Sequence, residues 1–296
     1  MMGWWRRLRG AWVEREVVCA SAAGLHRMAY VEWGNPKSDE VVICVHGLTR
    51  NGRDFDELAR ALSSRYRVVC PDIVGRGRSD WLKDPTHYGF PQYVADVTTL
   101  IARLDVTHVH WVGTSMGGLI GMFLASLDGN PIKSLVLNDV GPVIEGRALA
   151  RIGEYVGQAL VFADYAEAEA HIRTVAAPFG ELTDRQWRHL TEHSIRRRDD
   201  DTWEMRYDPA IGKVFRMLAP TQNIELWEIF DRIACPLLVT RGAESDLITH
   251  ETAAKMVARH GVSGELAEFA GIGHAPPFMN REQIDTVRDF IRRASH

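Results

Sequence analysis

A serine flanked by two glycines stands out in this sequence, in the segment Gly113-Thr114-Ser115-Met116-Gly117. The G-x-S-x-G pattern follows an apolar strand-like run, His108 to Val112, and precedes a helical pattern that begins near Gly118. A serine on such a sharp strand-to-helix turn needs strained backbone angles, and small residues must flank it on both sides. The turn also leaves the backbone N–H of Met116 at a helix N-terminus, where negative charge is stabilised. We therefore predict that Ser115 is a nucleophile.

A histidine near the C-terminus is the candidate base for this serine. A serine hydroxyl is a weak nucleophile at neutral pH, so it needs a base within hydrogen-bond reach that a carboxylate orients. His274 lies in the loop Gly271 to Pro277, just past the last predicted strand, where its ring can reach back over the strand ends. We predict that His274 takes the proton from Ser115.

Three acidic residues are candidates for the carboxylate that orients the base. Asp246 and Glu244 follow the predicted strand Pro236 to Thr240, and Asp139 follows an earlier strand. We favour Asp246, because the helix that starts near Thr249 leaves it in the strand-to-helix loop. Any of the three could instead be a turn residue or a helix cap. The predicted catalytic residues are Ser115, Asp246 and His274.

Two loops after early strands bear on the same chemistry. His46-Gly47-Leu48 ends the first buried strand, and we interpret His46 as a structural histidine that fixes the loop. The backbone N–H groups of Leu48 and Met116 could then form a two-donor oxyanion hole. The segment Asp72 to Ser79 is rich in glycine but lacks the lysine and spacing of a phosphate-binding loop, so we predict a tight turn near the pocket.

The order of elements along the chain predicts an α/β fold. From Val41 onwards, short apolar runs alternate with helical patterns, which is typical of a mostly parallel sheet with helices on both faces. Before them, Val13 to Ala20 and Leu25 to Trp33 flank a short turn containing Gly24 and predict an antiparallel hairpin at one sheet edge.

The alternation breaks between the strand Lys133 to Leu137 and the strand Pro236 to Thr240. This interval has helical patterns and is too long for a loop, so we predict a helical subdomain. The predicted helices are Leu149 to Val161, Asp164 to Val175 and Thr183 to Ser194. We predict a core of residues 11–140 and 235–296, an inserted helical lid of residues 141–234, and a flexible tail of residues 1–10.

Composition excludes several classes of function. The chain has 296 residues with 46% hydrophobic residues, and 35 Lys and Arg against 39 Asp and Glu give a formal net charge of −4. Because that balance lacks the basic excess needed to bind phosphate backbones, we expect no nucleic-acid partner. No apolar run approaches the roughly 18 to 20 residues of a membrane span.

The cysteines indicate the compartment. Cys19, Cys44, Cys70 and Cys235 are far apart, with no C-x-x-C or histidine-rich spacing, so we expect buried reduced thiols and no metal site. With no export signal, a cytoplasmic location is expected. A homo-oligomer is compatible with the sequence.

These motifs and their order resemble the α/β-hydrolase superfamily over nearly all of Leu25 to Ala294. The resemblance implies an α/β-hydrolase fold, with a mostly parallel eight-stranded sheet, and a serine hydrolase without a cofactor. In it Ser115 would attack a carbonyl, Asp246 would hold His274, and the amides of Leu48 and Met116 would bind the oxyanion. Relatives that use an aspartate nucleophile are excluded by Ser115.

The function that we expect is hydrolysis of a small to medium, largely apolar carboxylic ester through an acyl-enzyme, with a small-molecule ester as substrate. A lactonase, a thioesterase or a C–C bond hydrolase remain alternatives, although Ala275 stands where the C–C hydrolases usually carry tryptophan. A ligand sensor that keeps the fold without turnover is a further alternative. Six apolar residues of the insertion are candidates for the substrate pocket: Phe162, Phe179, Trp187, Trp203, Phe215 and Met217.

Overall fold

The computed structural model describes residues 12–213, 222–261 and 263–295, so the predicted tail of residues 1–10 lies outside the described residues. The strands are β1 (Trp12–Ser21), β2 (Gly24–Trp33), β3 (Val41–Val45), β4 (Arg67–Pro71), β5 (Val109–Thr114), β6 (Ile132–Asn138), β7 (Val143–Ile144), β8 (Val161–Phe162), β9 (Ile195–Arg197), β10 (Trp203–Met205), β11 (Ile224–Glu225), β12 (Leu237–Gly242) and β13 (Gly264–Phe269). The helices used below are α1 (Asp56–Leu62), α2 (Phe90–Leu104), α3 (Met116–Ala125), α4 (Gly146–Tyr155), α5 (Tyr165–Val175), α6 (Asp184–Ser194), α7 (Trp227–Phe230), α8 (His250–His260) and α9 (Arg281–Ala294).

An eight-stranded sheet in the order β1-β2-β4-β3-β5-β6-β12-β13 forms the centre of the molecule. The strand β2 pairs antiparallel with β1 and with β4, and the remaining neighbours pair in parallel. The predicted edge hairpin is therefore confirmed. All five residues of β3 are buried, as expected for a parallel strand covered on both faces.

Helices cover both faces of the sheet and bury two apolar clusters. On one face, Leu58 of α1 and Phe290 of α9 pack against Val42 and Val68. On the other, residues of α2, α3 and α8 pack against the opposite side chains of the same strands. The helix α2 shows why the sequence folds this way, since its buried apolar residues recur every three or four positions.

The segment between β6 and β12 forms the predicted helices and two small sheets that the sequence did not reveal. The helices α4, α5 and α6 lie close to their predicted positions, although α4 begins at Gly146 and ends at Tyr155. In one small sheet β10 pairs with β8 and with β9, and in the other β7 pairs with β11. Their strands have only two or three residues, too few for an alternating pattern to stand out in the sequence.

Parallel pairing brings the carboxyl ends of the central strands to one edge of the sheet. The loops that follow β3, β4, β5, β6, β12 and β13 therefore meet there. The segment between β6 and β12 contacts these loops, where Asn51 Nδ2 donates to the His193 carbonyl at 2.9 Å and Gly273 N donates to the Pro178 carbonyl at 2.7 Å. No helix in the described part of the chain is both long enough and apolar enough to cross a membrane.

Candidate active site

Ser115 occupies the sharp turn between β5 and α3 that the sequence predicts. Its backbone angles are φ 51° and ψ −115°, a conformation that L-residues rarely adopt. The turn is possible because Gly113 and Gly117 approach each other and β3 closely. A Cβ on Gly117 would lie 2.0 Å from the Val45 carbonyl oxygen, and one on Gly113 would lie 2.3 Å from the Gly117 carbonyl oxygen.

His274 lies against a buried carboxylate. Its Nδ1 is 2.6 Å from Oδ2 of Asp139, which is fully buried at the end of β6, whereas the His274 side chain is 27% exposed. Since a carboxylate only accepts hydrogen bonds, Nδ1 carries the proton and Nε2 is left with a lone pair. That is the tautomer that a base needs to accept a proton from a serine hydroxyl.

The carboxylate that hydrogen-bonds His274 is Asp139, and the structure does not pair the histidine with Asp246, the acid that the sequence favours. The Asp246 side chain is about half exposed and forms an ion pair with Arg151 of α4. That hydrogen bond is the main reason why the pKa of Asp246 lies below its usual value. Because the turn after β12 aims Ser245 at Asp139, the next residue, Asp246, is displaced from the histidine.

Two further polar residues that the sequence analysis missed fix this arrangement. The Ser245 hydroxyl donates to Asp139 Oδ2 at 2.6 Å, and the Gly242 N–H donates to Oδ1 at 3.0 Å. Asn138 is fully buried, and its amide nitrogen donates to Thr114 Oγ1 and to the Pro276 carbonyl. It thereby ties the serine turn to the histidine loop. In the sequence, the polar pair Asn138-Asp139 directly after the predicted strand Lys133 to Leu137 was the signal that could have identified Asn138.

The loop after β3 faces Ser115 and carries the first predicted oxyanion donor. A Cβ on Gly47 would lie 3.8 Å from Ser115 Cβ, so this loop lies directly beside the serine. Within the described residues, the N–H groups of Leu48 and Met116 donate to no protein acceptor. Both amides are therefore available to a substrate oxygen.

His46 holds this loop in its neutral form. Its Nε2 accepts a hydrogen bond from the Ile73 N–H at 2.9 Å, so Nδ1 must carry the hydrogen that it shares with the Gly47 carbonyl at 2.7 Å. Burial lowers the pKa of His46 to about 4, and the nearby charge of Arg76 adds to this effect. The interpretation of His46 as a structural residue agrees with these contacts.

We expect the His46→Gln variant to be less stable than the wild type at neutral pH. This difference in the free energy of unfolding should shrink as the pH falls. In the wild type the folded-state pKa of about 4 lies below the ordinary value of 6.5, so the unfolded chain binds more protons between these values. Wild-type stability therefore declines as the pH drops from 6.5 towards 4, by up to on the order of 3 kcal/mol from this residue. Urea unfolding of both proteins from pH 7.5 to 4.5 measures the difference.

The control for this prediction is His108→Gln, since His108 is exposed at the other end of the sheet. We expect the stability difference between His46→Gln and wild type to change more with pH than the difference for this exposed control. A constant difference for His46→Gln would contradict the neutral, buried state of His46.

Among the four predicted pocket residues that the structure describes, Phe179 lies beside this site. Phe179 lines a cavity of about 30 Å³ together with His46, Gly47, Arg50 and Thr114. The other described candidates, Phe162, Trp187 and Trp203, lie in apolar clusters, and Phe179 and Met279 pack in the same cluster as Trp187. Core and pocket residues share the same apolar character, so the sequence does not separate them. Phe215 and Met217 lie outside the described residues.

Two side-chain clusters of the described residues have metal-ligating types, and neither includes Ser115 or His274. In the first, His26 Nε2 pairs with Asp96 Oδ2 at 3.0 Å and joins the edge hairpin to α2. In the second, the Asp56 carboxylate pairs with the Arg53 guanidinium beside His193. Burial, followed by the charge of Arg53, lowers the pKa of His193 to about 3.

Comparisons with known proteins agree with the geometry. The family model described as alpha/beta hydrolase fold matches residues 40–275. The chain is 48% identical over 285 residues to a 3-hydroxybutyrate-oligomer hydrolase of Cupriavidus necator. The alignment covers 94% of this chain and 97% of that protein.

Solved structures show the same architecture. A hydrolase from Rickettsia typhi superposes with a TM-score of 0.87 at 34% identity and covers 96% of this chain and 99% of that chain. An alpha/beta hydrolase from Novosphingobium aromaticivorans superposes with a TM-score of 0.84 at 34% identity. The superposition covers 95% of this chain and 98% of that chain. The extent of the family match and of these similarities shows that the chain belongs to the alpha/beta hydrolase family.

Proposed function

We propose that this protein hydrolyses carboxylic esters through an acyl-enzyme on Ser115, with Asp139 and His274 completing the catalytic triad. The observation that carries the proposal is the hydrogen bond of 2.6 Å between His274 Nδ1 and the buried carboxylate of Asp139. It fixes the tautomer in which Nε2 can act as a general base. The strained turn at Ser115 supports the role of the serine as nucleophile.

In the proposed reaction, His274 Nε2 takes the Ser115 proton as Oγ forms a bond to the ester carbonyl carbon. The electron pair of the carbonyl double bond moves to the oxygen, where the N–H groups of Leu48 and Met116 donate to it. The tetrahedral intermediate then expels the alcohol, which receives the proton from His274. Water, activated by the same histidine, releases the acid and restores the serine.

The substrates that we propose are short linear oligoesters of 3-hydroxy acids. The similarity to the 3-hydroxybutyrate-oligomer hydrolase of Cupriavidus necator, at 48% identity over nearly the full length of both chains, supports this class. Each cleavage converts one ester bond and one water molecule into a hydroxyl end and a carboxylate end. Such a substrate is a small molecule and needs no cofactor for hydrolysis.

We propose that residues 141–234 act as a lid over a core formed by residues 11–140 and 235–296. The contacts of this segment with the site support the assignment, because Arg50 donates to Ser194 Oγ at 3.0 Å and Phe179 lines the cavity beside Gly47. That cavity has a volume of about 30 Å³, and Phe179 and Leu190 of the proposed lid line it together with Gly47 and Thr114 of the core.

Hydrolysis of defined oligomers tests the proposed substrate. We expect the protein to cleave the linear trimer of 3-hydroxybutyrate with a kcat/KM at least about 10-fold above that for p-nitrophenyl butyrate, because remote contacts contribute to transition-state binding. Released 3-hydroxybutyrate is measured by chromatography.

Two outcomes would contradict different parts of the proposal. Turnover of p-nitrophenyl esters without cleavage of the trimer would refute the oligoester class and leave ester hydrolysis intact. No turnover of either substrate would refute the hydrolase function itself and favour a ligand sensor.

A further inference from the structure

A fully buried arginine, Arg76, lies behind the proposed oxyanion hole. It belongs to the loop Asp72 to Ser79, to which the proposed mechanism assigns no role. Its guanidinium donates to the carbonyl oxygens of Leu48 and Val74, both at 2.8 Å, and to the Tyr93 hydroxyl at 2.9 Å. Among the described residues, no carboxylate is within ion-pairing distance of it. Within the described residues, its positive charge therefore has no ion-pair partner.

Two of its contacts reach the two residues whose amides form the proposed hole. Arg76 Nε donates to the carbonyl of Leu48, and Nη2 lies 3.5 Å from Sδ of Met116. One planar group thus braces the loop after β3 against the start of α3. The rings of Tyr88 and Tyr93 lie 5.8 and 5.0 Å from its central carbon and add cation–π attraction.

The loop that carries Arg76 is itself held firmly. The buried carboxylate of Asp72 accepts hydrogen bonds from the Gly52 N–H and the Arg78 N–H, both at 2.8 Å. The Ser79 hydroxyl donates to the Asp72 carbonyl and closes the turn. The guanidinium consequently has a fixed place before any substrate arrives.

A buried charge without a counter-ion costs folding free energy, and a neutral donor could brace a carbonyl at a lower cost. The charge becomes useful where negative charge develops nearby during the reaction. The same charge already acts on His46, whose pKa it helps to lower after the larger effect of burial.

We propose that Arg76 is a positioning residue of the oxyanion hole, which orients Leu48 and Met116 and stabilises the negative charge on the substrate oxygen through its uncompensated charge. The proposal rests on the proposed ester hydrolysis at Ser115. It predicts a defect that is confined to the transition state, because the ground-state ester oxygen carries little charge.

The test compares Arg76→Met and Arg76→Lys with the wild type. With p-nitrophenyl butyrate, we expect kcat to fall by about 30- to 100-fold for methionine and by about 10-fold for lysine, with KM changed by less than about 3-fold. The rate at which a fluorophosphonate probe labels Ser115 should fall by similar factors, because its phosphoryl oxygen develops charge in the same hole. Labelling is measured by intact-protein mass spectrometry.

A matched control is Arg67→Met. Arg67 is also largely buried and donates to a backbone carbonyl, that of Leu104 at 3.1 Å, but it begins β4 whereas the loop of Arg76 follows the end of that strand. We expect this variant to lower the melting temperature and to leave kcat and the labelling rate unchanged. If Arg76→Met does not fold, the lysine variant provides the test.

Folded Arg76 variants with wild-type kcat and labelling, or with a change in KM alone, would overturn the inference while the hydrolase function stands. A fall in kcat without a fall in labelling would overturn it as well. A wild type that neither hydrolyses esters nor reacts with the probe would overturn the proposed function, and this inference with it.

Discussion

The Asp139→Asn variant is expected to lose about three to four orders of magnitude in kcat for any ester substrate. The carboxylate of Asp139 accepts from His274 Nδ1, and an amide at this position can donate its N–H to the ring instead. The histidine would then carry its proton on Nε2, where it cannot accept the proton of Ser115. The side-chain volume is nearly unchanged, so the fold should be retained. Steady-state kinetics and a thermal melt measure the two effects.

The matched control is Asp246→Asn, the same substitution at the acid that the sequence favours. Asp246 is half exposed and paired with Arg151, so its loss should change kcat by no more than a few-fold. A large loss at Asp246 together with a small loss at Asp139 would show that the acid moves during catalysis.

The Ser115→Ala variant is expected to lose at least about four orders of magnitude in kcat and to become inert towards a fluorophosphonate probe. The hydroxyl group is the only part of the side chain that is removed, and the rest of the site should stay in place. The backbone strain at φ 51° also remains, because alanine tolerates this conformation no better than serine.

The Ser115→Gly variant separates chemistry from strain. Glycine adopts positive φ without a steric penalty, so this variant should be as inactive as the alanine variant but more stable, by about 1 kcal/mol. Urea unfolding compares the two. Activity retained in either variant would remove Ser115 from the mechanism, and equal stability would mean that the turn is not strained.

The main elements of the fold could be predicted because their sequence signals are local. Strands such as β3 are continuous apolar runs, and α2 repeats its apolar residues with the helical period. The serine turn could be predicted because close backbone contacts restrict two positions to glycine. The short strands β7 to β11 could not, since two or three residues carry no period.

The acid could not be chosen correctly because three acidic residues follow strands that end at the same sheet edge. Which of them reaches His274 depends on the turn after β12, where Ser245 and the Gly242 N–H point at Asp139. That direction is a property of the folded turn and not of residue spacing. The sequence could not identify the pocket residues for a related reason, since apolar side chains that line a cavity and those that pack in a cluster share the same character.

The position of Asp139 has a consequence for how this protein can diversify. Were the acid at Asp246, the whole insertion between β6 and β12 would separate it from Ser115 along the chain. With the proposed acid at Asp139, the proposed nucleophile and acid directly follow the adjacent strands β5 and β6, and the insertion comes after both in the chain. The insertion can therefore change in length and sequence as an exchangeable module. The return of His274 to its place and the turn after β12 that holds Asp139 must be preserved, so substrate range and reaction chemistry can evolve separately.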